Sequence, residues 1–175
     1  MIPGILVTLA TFPGVIVHEI AHQLFCRWFR VAVFDVCYFR VGNPAGYVVH
    51  EPPRTAWQNT VIAIGPFLVN SLIGALIAAP GAIPVLQFES GSLLDYFLIW
   101  LGVSIAMHAF PSTGDARSML QAVQAEGTPS LTRILVFPLV GIIYVGAIGS
   151  FFWLDAIYGV FIAMALPNIL VGILA

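Results

Sequence analysis

His18, Glu19 and His22 stand within PGVIVHEIAHQLFCRW, residues 13–28, a stretch otherwise apolar enough to enter a bilayer. On an α-helix the two histidines lie about one turn, roughly 6 Å, apart along the axis and on nearly the same face. Two imidazole nitrogens so placed can converge on one metal ion. Glu19 lies beside them, close enough to hold a water on that ion without being a ligand. This H-E-x-x-H arrangement offers two zinc ligands and a general base for a water whose pKa zinc lowers to roughly 7. Each ionisable group near a bilayer centre costs about 2.5–3.5 kcal/mol, so three adjacent ones imply a use. The alternative is an inert polar cluster facing a neighbouring helix.

A catalytic zinc usually takes three protein ligands and leaves a position for water. Where the third comes from depends on the elements, and composition sets their solvent. The 175 residues are 60% hydrophobic and 8% charged, against about 25% charged in a soluble domain. The expectation is an all-α multi-pass membrane protein forming a single membrane-embedded domain over 1–175. The six arginines are scattered, there is no lysine and the net charge is −2, so no basic patch for nucleic acid exists. Cys26 and Cys37 match no zinc or redox spacing and read as ordinary buried thiols. Met1 leads straight into apolar residues with no basic region or small-residue cleavage motif, so the first run is expected to be a retained helix.

Spans of about 20 residues fit roughly at 2–27, 58–79 (ending at a Pro80-Gly81 turn), 92–110, 131–151 and 156–174. The boundary near Asp155 is weakly marked. The core is expected within 1–120, with accessory helices over 131–175. Between the first two spans, VAVFDVCYFRVG (31–42) is β-branched and aromatic, NPAG (43–46) is a turn signal and YVVH (47–50) resumes the strand pattern. These predict a β-hairpin at the membrane surface, an irregular interfacial loop being the alternative.

Arg27, Arg30, Arg40 and Arg54 fall between spans one and two, and Arg117 and Arg133 between three and four. All lie on one side, assigned to the cytoplasm by the positive-inside rule. The protein is thus expected in the cell membrane with its site toward the cytoplasmic side. Glu89, Asp95 and Asp155 map to the opposite side and are set aside as ligands, leaving His50, Glu51, His108, Asp115 and Glu126. In MHAFPSTGDARSML (107–120), Pro111 and Gly114 break the helix, and Asp115 opens a new one. A carboxylate held at such a break can turn inward at the depth of the histidines. Asp115 is the preferred third ligand and His108 the second candidate. Asp115 also reads as a helix-capping aspartate.

HEIAH in a membrane span, GPFLVN (65–70) in a middle span and HAFPSTGDA (108–116) after another resemble the site-2 protease family of intramembrane zinc metalloproteases. The resemblance covers roughly residues 10–120. It implies a three-helix core in which His18 and His22 are zinc ligands, Glu19 is the catalytic base and Asp115 the third ligand. A strand or hairpin after the first core helix is also a family feature. The family's middle motif usually reads G-P-x-x-N, whereas Asn70 here lies one residue further from Gly65. His108 stands where the family has asparagine, and Asp115 comes one residue early. Asn70, His108 and Pro111 are candidates for orienting the site or binding substrate.

The resulting expectation is a Zn²⁺-dependent endopeptidase that cuts a transmembrane protein or peptide within the lipid bilayer, with Glu19 activating the zinc-bound water. A cavity polar only at its centre would supply water, Lewis acid and base where lipid supplies none. An edge strand at 47–50 could capture an unwound substrate by β-addition. The other membrane H-E-x-x-H class carries its zinc in a large cytosolic domain with a glutamate ligand, for which only Glu126 is available. The non-enzymatic alternatives are a metal-binding transporter, which broken segments at Pro66 and Pro111 suit, or an inactive scaffold.

Overall fold

The first apolar run does not continue as one helix. In the computed structural model, which describes residues 4–150 and 152–174, α1 (Gly4–Ala10) and α2 (Phe12–Trp28) meet at an angle of 79°. Pro13 lies in the first turn of α2, where its missing N–H is tolerated but where it cannot carry an earlier helix forward. The single straight span expected over 2–27 is therefore broken at Thr11; positions 2 and 3 lie outside the described residues.

After α2 the β-branched stretch forms the expected hairpin. Strands β1 (Val33–Cys37) and β2 (Tyr47–His50) pair antiparallel, with Val36 opposite Val48 and Cys37 opposite Tyr47. Its placement differs from a cap at one end of the helices. Val31 and Val33 pack against Phe25, Cys26 and Ile62 near the end of α2, whereas the Phe39 ring meets Phe12 at its start, 5.6 Å away. The hairpin and its connection thus run back along the whole of α2. Non-helical backbone at such depth needs protein or a water-lined cavity beside it, and β2 finds a cavity.

Helix α3 (Ala56–Gln87) begins at Thr55, whose side chain accepts from the Gln58 N–H. It contains Pro66, Pro80 and Pro84 and runs past the turn expected at Pro80-Gly81. Proline inside an apolar helix removes one hydrogen bond, and packing on neighbours compensates. Here α3 lies flush on α4 (Leu93–Met107): a Cβ on Gly74 would stand 2.8 Å from the Gly102 carbonyl oxygen. Small residues permit that approach.

With 15 residues, α4 rises about 22 Å, short of a hydrocarbon core of about 30 Å. The span expected at 92–110 instead ends at Met107, and after a break α5 (Thr113–Gln124) sets off anew. Helix α6 (Ser130–Ser150) shares a core with α3 and α5, where Val136, Val140 and Ile143 meet Ala63, Met119 and Val123. Helix α7 (Leu154–Val160) passes through a π-helical stretch, Phe161–Ala165, into α8 (Leu166–Leu174). Five uninterrupted spans are thus not seen among the described residues. Among the described residues, Ala56–Gln87, Ser130–Ser150 and Leu154–Ile173 are long and apolar enough to cross a membrane, alongside the bent pair α1–α2 and the short α4.

Candidate metal centre

His18 and His22 lie on the face of α2 that meets α3 and α4, 8% and 7% exposed. Each ring is oriented by a main-chain carbonyl. His18 Nδ1 donates to the His108 carbonyl at 2.7 Å, and His22 Nδ1 donates to the Ile62 carbonyl at 3.0 Å. Both acceptors are freed by breaks in helices. Ile62 stands four residues before Pro66, which has no N–H to return to it. His108 closes α4 as its C-cap, where the last carbonyls have no helical partner.

A carbonyl can only accept, so the proton of each neutral imidazole is on Nδ1 and Nε2 presents a lone pair. The two Nε2 atoms face each other at 3.1 Å. Asp115 Oδ1 lies 3.5 Å from His22 Nε2, and the three ligand atoms all fall within 4.8 Å of one another. Three acceptors crowded in a buried place repel unless a cation sits among them. Tetrahedral ligands about 2.1 Å from a common ion lie about 3.4 Å apart. Two nitrogens and a carboxylate oxygen at these distances fit zinc.

Asp115 serves two ends at once. Its Oδ2 accepts from Ser112 N at 2.8 Å and Ser112 Oγ at 2.6 Å, completing a capping box at the start of α5. That leaves Oδ1 turned toward His22. The capping and ligand readings of Asp115 are therefore compatible, since the cap holds the carboxylate still. Ser112 is a contributor that the sequence analysis passed over, although S-x-x-D is a visible capping signal.

Glu19, 7% exposed, lies on the same wall of α2. Among the described residues its carboxylate receives no hydrogen bond. The backbone at Gly46 is pressed against it: a Cβ there would stand 2.8 Å from Glu19 Oε1 and 2.7 Å from its Cγ. Glu19, the histidines and Asp115 all line one cavity of about 770 Å³, walled also by β2, Val15, Met107 and Phe110. Its lining is mixed, with Thr8, Asn43, Ser118 and Ser150 among the polar residues around the histidines.

Asn70 is fully buried. Its Nδ2 donates to the carbonyls of Gly14 (3.1 Å), Ile105 (3.1 Å) and His108 (3.3 Å), so it ties α2, α3 and α4 together. The His108 imidazole is not brought into the triad; its Nδ1 donates to the Ser104 carbonyl at 2.9 Å. His108 contributes its main-chain oxygen to His18 instead. Pro111 lines the cavity at the break. His50 lines it too, whereas Glu126 lines a separate cavity beside Arg54 and Asn59. Asp155, set aside by its side of the membrane, nevertheless borders the same cavity. The cavity extends past the broken end of α4 to the turn before α7, which positional elimination did not anticipate.

The paired Nε2 atoms and the carboxylate opposite them offer three donor atoms to one metal ion, with the neighbouring glutamate on the same cavity. Residues 11–126 match the family described as "Putative zincin peptidase". No curated protein and no solved structure matches the chain. The matched segment runs from the start of α2 past the end of α5, holds every residue of the triad and spans about two thirds of the sequence, so the chain belongs to this zincin peptidase family.

Proposed function

We propose that the protein is an intramembrane zinc endopeptidase of site-2 protease type, hydrolysing a peptide bond within or near a transmembrane segment of a membrane-protein substrate. The observation that carries this reading is the placement of His18, His22, Asp115 and Glu19 around one cavity in a chain whose long helices are apolar enough to cross a membrane. His18, His22 and Asp115 would hold the zinc, which when bound supplies a Lewis acid and lowers the pKa of water. Glu19 takes a proton from the water that attacks the peptide carbonyl carbon. It then returns that proton to the amide nitrogen as the C–N bond breaks. The free edge of β2 offers main-chain partners to an unwound substrate segment. The arginine pattern supports a cell-membrane location with the site toward the cytoplasm.

The test is cleavage of a single-span substrate by purified protein in liposomes. Wild type should hold about one equivalent of zinc, lost in His22→Ala. Glu19→Gln should keep its zinc and cleave about 10²–10⁴-fold more slowly. Wild-type rates in Glu19→Gln reject the mechanism, and zinc binding without cleavage in the wild type leaves the inactive-scaffold reading.

A further inference from the structure

Helices α6, α7 and α8 lie beyond the residues of the family match, yet α7 meets the stretch on which the triad depends. That stretch is the break 108–112 between α4 and α5. Its first residue gives the carbonyl that orients His18, and its last holds Asp115. A break in apolar surroundings has no helical ladder to fix its shape, so packing from neighbours must do so.

Two residues of α7 supply that packing. Gly159 lies flush on the end of α4: a Cβ there would stand 2.7 Å from Met107 Cβ and 2.8 Å from its backbone nitrogen. The Tyr158 ring meets Phe110, inside the break, edge-on with centroids 4.9 Å apart. Phe67 of α3 completes the group, 5.8 Å from Phe110 and 5.6 Å from Tyr158. The Ser71 hydroxyl gives its proton to the Phe67 carbonyl, so the Tyr158 hydroxyl donates to Ser71 Oγ at 2.6 Å. The tyrosine is thereby pinned to α3, the helix that also supplies Ile62 to His22 and Asn70 to the His108 carbonyl.

We propose that Tyr158 and Gly159 are positioning residues for the metal triad, holding the break so that the His108 carbonyl and Asp115 reach their places together. This rests on the reading of the triad as a zinc site. It assigns α7 a part in metal binding although none of its side chains is among the three ligands.

The experiment uses the full chain in detergent micelles. Zinc affinity is measured by competition with a chromophoric chelator, and ligand arrangement by the visible spectrum of the cobalt(II)-substituted protein. Tyr158→Leu and Gly159→Val should weaken zinc about 10–100-fold, the usual effect of removing an outer support, and should shift the cobalt bands. Ile157→Ala, on the exposed face of α7, should do neither. Wild-type zinc affinity and cobalt spectrum in Tyr158→Leu overturn the proposal, as does a lowered thermal midpoint of the metal-free protein with zinc affinity unchanged. Should Gly159→Val fail to fold, Tyr158→Leu, at a half-buried site, decides alone. A wild type that binds no zinc removes the metal-site reading and this inference with it; wild-type binding with unaffected variants removes this inference only.

Discussion

Pro66 acts on the site through an atom it does not have. Without its N–H, the Ile62 carbonyl is open to His22 Nδ1 at 3.0 Å, and the tautomer that points Nε2 at Asp115 follows. Pro66→Ala restores a competing donor. It should raise helix stability, since proline costs about 3 kcal/mol against alanine in a helix interior, yet weaken zinc about tenfold or more. Thermal unfolding and chelator competition on the same sample check the two opposite signs. Asp115→Asn removes the charged ligand while leaving a capable capping residue, so its zinc affinity should fall with α5 intact. Full zinc retention in Asp115→Asn, with loss in His108→Ala, would transfer the third-ligand role to His108.

At the scale of elements, the hairpin is a wall of the site. It runs along α2, and the residue just before β2 has no side chain because the Glu19 carboxylate occupies that space. Gly46→Ala should push the carboxylate from its place. Cleavage should then drop by about 10² or more, the low end of a general-base contribution, while zinc content stays at the wild-type level because the triad is untouched. Wild-type cleavage by Gly46→Ala would show that the hairpin merely seals the cavity. The break between α4 and α5 has a matching part: one end frees a carbonyl for His18 and the other anchors Asp115 through Ser112.

Across the whole molecule, the cavity reaches from Thr8 of α1 to Asp155 of α7, and among the described residues three helices and one bent pair are apolar enough to cross a membrane. Arg40 follows the hairpin connection back beside α1, and the orientation proposed above puts Arg27, Arg30, Arg54, Arg117 and Arg133 at the cytoplasmic face. Single cysteines placed at 27, 30, 54 and 117, on a background lacking Cys26 and Cys37, should label in sealed cells only from the cytoplasm. Positions 87–91, exposed at and after the end of α3, should label only from outside. Labelling of position 87 from the cytoplasm would invert the arrangement.

The pairing of His18 with His22 was legible in the sequence because four residues on a helix are neighbours whatever surrounds them. The hairpin strands and the start of α5 were legible for the same reason, each being a local preference written in consecutive residues. Asp115 followed from the proline and glycine that precede it. The sequence did not show the bend at Thr11, the run of the hairpin along α2 or the continuation of α3 through Pro80. Nor did it show Asp155 beside the cavity, the carbonyls that orient the two imidazoles, or the pressure of Gly46 on Glu19. Each of these depends on contacts between residues far apart in the chain, and hydrophobic periodicity records which face is apolar without recording what it meets. Local chemistry decided which side chains were available; tertiary packing decided which of their atoms point at one another.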